Sequence, residues 1–234
     1  MKSISKLWSL LALSLIVAAC QPSDKSEATE SEESTTAEAA ETVEESTETV
    51  TFINPNLATA EDLAASGLSA ELVSQITDNR PYLTMTDLDA VISETMDSTQ
   101  KAALYAKFFV PFNLNTTPED DFKLIPGVGK RMAHEFEEYR PYVNIAQFRK
   151  EIGKYVDETE VARFENYVFV PVELNTASKE EILAIPGVGD RMLHEFEEYR
   201  PYSSMDQFRK EIGKYVDEKE LTRLERFVYL KEAE

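Results

Sequence analysis

Positive charge is scarce in this sequence: 24 Lys and Arg stand against 44 Asp and Glu, a formal net charge of −20 over 234 residues. Phosphate binders usually present a basic surface, so the deficit excludes a chain that grips a polyanion by net charge. Any such contact has to be local. Only one cysteine is present, Cys20, which excludes an intrachain disulfide framework and a Cys-rich zinc site. The two histidines, His134 and His194, sit sixty residues apart in equivalent positions and do not make a ligand set. No nucleophile–base pair, metal-ligand spacing or P-loop is found, so neither catalysis nor a metal or cofactor is expected. Long apolar runs are missing as well. Leu7 to Ala19, an apolar run of 13 residues, is too short to span a bilayer comfortably.

That run follows a basic start, Lys2 and Lys6, and ends in small residues, which is the pattern of a processing signal over residues 1–19. Its end, Val17-Ala18-Ala19-Cys20, resembles the lipobox of bacterial lipoproteins. The resemblance implies cleavage before Cys20, lipidation of its sulfur and membrane attachment through two or more acyl chains, which anchor stably where one does not. An ordinary secretory signal with a chance cysteine is the alternative. Gln21 rather than Asp follows, which in a Gram-negative host directs the protein to the outer membrane. Residues 21–50 are almost all Ser, Thr, Glu and Ala, with no aromatic and ten acids to one base. Such a segment cannot bury enough apolar surface to order itself, so residues 20–50 are expected to be a disordered acidic tether with a reach of roughly 30 Å. They carry −9 of the net charge; the remainder of the chain is still acidic, −5 over 51–112, −3 over 113–172 and −5 over 173–234.

From residue 51 onward the chain repeats every sixty residues. His134 to Tyr142 (HEFEEYRPY) recurs unchanged at His194 to Tyr202, and Gln147 to Glu158 (QFRKEIGKYVDE) at Gln207 to Glu218. An eroded earlier copy puts Arg80-Pro81-Tyr82 sixty residues before Arg140-Pro141-Tyr142. Three units follow: 51–112, 113–172 and 173–231. Helical spacing dominates the second and third. Ser178 with Glu181 reads as a capping box, and Thr117 as a cap with Pro118 at the first helical position. Met192, Leu193, Phe196 and Tyr199 mark a helix stopped by Pro201, and Met205 to Ile212 one ended by Gly213. Another begins at Asp217, with Glu220 as partner in a second capping box. No strand pattern competes, and the expected class is all-α.

Ile125-Pro126-Gly127-Val128-Gly129-Lys130-Arg131 and its copy Ile185-Pro186-Gly187-Val188-Gly189-Asp190-Arg191 each join two helical segments. A Gly-x-Gly turn that opens a helix leaves backbone N–H groups unpaired beside the positive end of the helix dipole, an anion-binding arrangement. Glycine is also what a tight interhelical turn demands on steric grounds alone.

The stretch Leu174-Asn175-Thr176-Ala177 through Pro186-Gly187-Val188-Gly189 resembles the helix-hairpin-helix domain of the competence protein ComEA family. The likeness is good over 113–231 and loose over 51–112, roughly three quarters of the chain. It implies tandem helix-hairpin-helix units and an exported, membrane-attached receptor for double-stranded DNA that serves in uptake. Helix-hairpin-helix units also bind proteins. The sequence departs from the family in three places. Around Gly153 and Gly213 the second hairpin keeps one glycine of two; the first unit reduces its hairpin to Ser66-Gly67-Leu68-Ser69, with no proline or second glycine; and Asp190 replaces Lys130. The first unit therefore reads as structural and the second as the principal phosphate contact.

Two readings follow. In the first, the protein binds double-stranded DNA without sequence preference: the backbone of Gly127, Val128 and Gly129, and of Gly187, Val188 and Gly189, meets phosphates, and Lys130, Arg131 and Arg191 supply charge. Arg149, Lys150 and Lys154, with Arg209, Lys210 and Lys214, either extend this track or form a solvated face salted with glutamates. In the second, the chain is a scaffolding lipoprotein whose units bind an envelope protein partner. Phe136, Tyr139, Tyr142, Phe148, Tyr155 and Tyr167 fall at core spacings and are expected to pack rather than stack on bases.

Overall fold

A computed structural model describes residues 52–231. The stretch expected to be a signal peptide, Cys20 and the expected tether lie outside the described residues. Among the described residues the fold is mostly helical, and no helix is long and apolar enough to cross a membrane.

The first segment holds α1 (Ala60–Ala65), α2 (Ala70–Asp78), α3 (Met85–Ile92) and α4 (Ser98–Tyr105). The second holds β1 (Phe112–Asn113), a 3-10 helix (Glu119–Leu124), α5 (Lys130–Glu138), α6 (Ile145–Ile152), α7 (Glu158–Glu165) and β2 (Val168–Phe169). The third holds β3 (Val172–Glu173), α8 (Lys179–Leu183), α9 (Asp190–Glu198), α10 (Met205–Ile212), α11 (Glu218–Glu225) and β4 (Val228–Tyr229). Helices α5, α6 and α7 recur sixty residues later as α9, α10 and α11.

Side-chain caps set most of these starts. Ser178 and Glu181 form the expected capping box at α8, and Met205–Ile212 is helical as the pattern predicts. Two expectations change. Thr117 caps nothing: Pro118 sits at the start of a 3-10 helix with no side-chain cap, and the buried Thr117 gives its carbonyl to Arg140. At α11 the Asp217 side chain accepts from the Glu220 N–H, but Glu220 turns its carboxylate to Arg223, so the box is half made.

The short strands also depart from a wholly helical reading. β1 pairs with β2 and β3 with β4, both parallel, with Phe112 opposite Val168 and Val172 opposite Val228; Ile53 makes a single parallel bridge to Phe108. Each segment thus enters the fold beside the point where it leaves. Two-residue strands are too short for alternation to reveal them.

The recurring Asn and Arg-Pro-Tyr residues fasten each segment. The Asn56 amide accepts from the Tyr82 N–H (2.8 Å) and donates to the Tyr82 carbonyl (2.8 Å); Asn115 with Tyr142 and Asn175 with Tyr202 repeat the pair. Beside each pair an arginine donates to the chain entering the first helix, Arg80 to the Ala58 carbonyl (2.8 Å), Arg140 to those of Leu114 and Thr117, and Arg200 to that of Ala177 (2.9 Å). These backbone acceptors would otherwise be left unpaired in buried or, at Ala58, half-buried positions.

The buried side chains form two clusters, Leu63–Val168 and Leu174–Val228. A run of edge-to-face rings crosses from the first segment into the second: Phe109 meets Phe112 (5.2 Å) and Tyr167 (5.0 Å), then Phe112 meets Phe122, and Phe122 meets Phe136. The first two segments therefore share one core. Phe169 against Phe227 (4.3 Å) joins the third, where Arg226 lies over both rings and donates to the Pro111 carbonyl (2.9 Å). Of the aromatics expected to pack, Phe136, Tyr142, Phe148 and Tyr167 are buried and Tyr139 is half-buried, whereas Tyr155 is exposed.

Candidate nucleic-acid interface

The hairpins are built from the core outward. Ile125 and Val128 anchor one and Ile185 and Val188 the other, all four side chains buried. Between the anchors the chain turns tightly. The Val128 N–H donates to the Ile125 carbonyl (3.0 Å), with Pro126 and Gly127 in the central positions and Gly127 at φ +82°. Proline first and a positive-φ glycine second is the pattern of a type II turn. Val188, Ile185 and Gly187 (φ +83°) repeat it. This geometry removes Val128 and Val188 from the expected donor set, because their amides are spent in closing the turns and their side chains are core.

The second glycine of each pair is different. Gly129 and Gly189 are extended residues that open α5 and α9 with no side-chain cap. The first-turn amides of these helices therefore lack the side-chain acceptor that α2 has, where Ser69 stands in place of glycine and accepts from the Leu72 N–H (3.2 Å). Gly127, Gly129, Lys130 and Arg131 are exposed, as are Gly187, Gly189, Asp190 and Arg191. Among the described residues Lys130, Arg131 and Arg191 make no ion pair, so each brings a free charge to an uncapped helix start.

The second basic group is not free. Arg149 donates two bonds to Glu165 (2.6 and 2.7 Å), and Arg209 binds Glu225 and Asp206. Lys154 and Lys214 bind Glu151 and Glu211 while lying over the rings of Tyr139 and Tyr199. Lys150 and Lys210 stay exposed, loosely beside the same glutamates.

Two arginines that the sequence reading passed over lie behind the turns, and the first of them bonds to its turn. Arg163 pairs with Glu160 and donates through Nη2 to the Pro126 carbonyl (2.8 Å). A Cβ at Gly127 would lie 3.2 Å from that nitrogen. Arg223, only 2% exposed, pairs with Glu220, and its Nη2 lies 2.8 Å from where a Cβ on Gly187 would be. The signal was present as Glu-x-x-Arg at 160–163 and again at 220–223.

Beside the second hairpin, Glu119, Lys130, Arg131 and His134 line a shallow depression. His134 Nδ1 is 3.3 Å from Glu119 Oε2, and Nε2 is 3.9 Å from Glu138. The bond to Glu119 raises the imidazole pKa above its ordinary value; desolvation opposes it, and the charges of Glu119, Glu138 and Glu135 add to it. In the third segment the charges are exchanged: Lys179 stands where Glu119 does and Asp190 where Lys130 does.

A separate groove of about 640 Å³ runs between the second and third segments. Val143, 68% exposed, stands on its wall with Ile145, Phe169, Pro171, Ile185 and Pro186. Among the described residues no group of three or more His, Cys, Asp or Glu side chains could hold a metal ion.

No family model matches this sequence, and no curated protein and no solved structure matches it.

Proposed function

We propose that this chain is an envelope lipoprotein, anchored through a lipidated Cys20, that binds double-stranded DNA without sequence preference through tandem helix-hairpin-helix units and takes part in DNA capture or uptake. The observation that carries the reading is the start of α5, where an uncapped Gly129 adjoins two exposed cations, Lys130 and Arg131, that make no ion pair among the described residues. Backbone amides at a helix start, reinforced by the dipole, suit a phosphate oxygen and read no base. With Lys130, Arg131 and Arg191 as the free cations, about three phosphates are neutralised, so log K should fall with log salt at a slope of about −3. Affinity is accordingly modest, in keeping with the acidic surface. The test is fluorescence anisotropy of a labelled random-sequence duplex with the full chain in neutral detergent, from low to physiological salt. The double variant Gly129→Asp with Lys130→Glu is run beside it. Salt-sensitive binding lost in the variant, with helicity retained by circular dichroism, supports the reading; no binding at low salt overturns it.

The apolar groove favours a second reading, a scaffolding lipoprotein that engages an envelope protein. Val143 is a large apolar side chain standing in solvent at the rim of a concave, mostly apolar surface, a combination typical of protein-binding sites. A protein partner whose binding is lost on Val143→Asp and unaffected by the hairpin double variant would support it.

A further inference from the structure

Resting on the phosphate-binding reading of the hairpin at Gly127–Gly129, we propose that Glu119 and His134 make it a proton-linked site, in which His134 takes up a proton as phosphate binds.

His134 lies one turn along α5 from Lys130, on the same face, and both line one depression with Arg131 and Glu119. Glu119 reaches the imidazole from the 3-10 helix at 3.3 Å, and Glu138 stands 3.9 Å from the other ring nitrogen. Glu135 acts on the ring from the same helix. With neutral imidazole the depression holds two cations and one carboxylate, and the Glu119 carboxylate opposes an incoming phosphate. Protonation cancels that opposition without moving any group. The raised basicity of His134 in its bond to Glu119 brings this change within reach of neutral solution.

Linkage fixes the sign. Phosphate favours the imidazolium, so affinity rises as pH falls through the His134 pKa, and bound phosphate must raise that pKa in turn. The third hairpin lacks the device. Lys179 stands in place of Glu119 and pairs with Glu197 (3.5 Å), leaving His194 with Glu198 (3.6 Å). Glu119, whose counterpart is Lys179, thus distinguishes two hairpins that share the same Pro-Gly-Val-Gly turn and the same histidine.

The test uses the full chain in neutral detergent and a rhodamine-labelled duplex at constant salt. One added cation at a phosphate is expected to tighten binding about threefold between about pH 8 and about pH 6. His134→Ala should abolish the gain, His194→Ala should leave it, and Glu119→Gln should tighten binding at the alkaline end. In parallel, carbon-13-labelled histidine resonances are titrated with and without sodium sulfate at constant ionic strength; sulfate should raise the pKa of His134. Duplex binding that the hairpin double variant abolishes but that has no pH response, or keeps its response in His134→Ala, overturns the proton linkage and leaves the DNA reading standing. If no duplex binds at either pH, the DNA reading falls. A sulfate-induced rise at His134 then still supports a proton-linked anion site, and an unmoved His134 overturns it.

Discussion

Replacing Gly129 by serine separates a turn that binds from a turn that merely packs. Gly129 has an extended backbone, φ −92° and ψ 177°, and a Cβ there would meet no atom within 4 Å, so serine fits without strain. It would recreate the cap that Ser69 makes on α2, where the side chain accepts from the Leu72 N–H. Serine exceeds glycine as an N-cap by only a few tenths of a kcal/mol, so the variant should be slightly more stable than the parent. The new Oγ, however, would take a first-turn amide that phosphate otherwise receives. A hydrogen bond to a charged acceptor contributes about 1.5–3 kcal/mol, and the lower figure corresponds to a loss of roughly tenfold in DNA affinity. Stability up and affinity down is a combination that no purely structural role for Gly129 yields. Thermal unfolding by circular dichroism and duplex anisotropy at low salt measure the two effects on one preparation. Unchanged affinity in a variant as stable as its parent would refute the reasoning.

Three further outcomes follow from the packing and the charges. Gly127→Ala should destabilise by about 1–2 kcal/mol, since alanine at φ +82° is strained and its Cβ crowds Arg163, whereas Gly67→Ala, with open space around it, should lose only the backbone part; urea unfolding distinguishes them. Arg223→Ala should cost about 3 kcal/mol, because it empties the buried space that the side chain fills, and more than Arg163→Ala at the less buried equivalent site. Burial pushes the Asp89 pKa up, but hydrogen bonds from Lys101, Tyr105 and Ser93 and the charge of Lys101 outweigh it and hold the carboxyl below its ordinary value. Its contribution is present above the unfolded pKa and is lost as pH falls through the folded one. Asp89→Asn should therefore lower stability by about 1.5 kcal/mol at neutral pH and by much less near pH 2, read from urea midpoints.

Local chemistry was legible in the sequence and tertiary pairing was not. The Ser178–Glu181 box, the helix over 205–212 and the need for glycine at 127 and 187 all follow from contacts within a few residues. The hairpin amides divide less obviously: Val128 and Val188 look like part of the nest, yet the turn consumes their N–H groups, which only the Ile125 and Ile185 carbonyl positions reveal. Arg149 reads either as part of a phosphate track or as a face salted with glutamates, because its neutralising partner, Glu165, is on the next helix. Arg163 and Arg223 escape notice because the turns beside them lie far back along the chain. The strand pairs escape notice because two residues carry no periodicity and their partners are more than fifty residues away.

The most direct test of phosphate capture at the second hairpin is amide mapping by nitrogen-15 NMR of the full chain as a random-sequence duplex is added. The account predicts shifts led by Gly129, Lys130 and Arg131, weaker ones at Gly189 and Arg191, and none at Ser69, all reversed by added salt. Shifts confined to Val143, Ile145 and Phe169 in the groove, or no shifts anywhere, would contradict it.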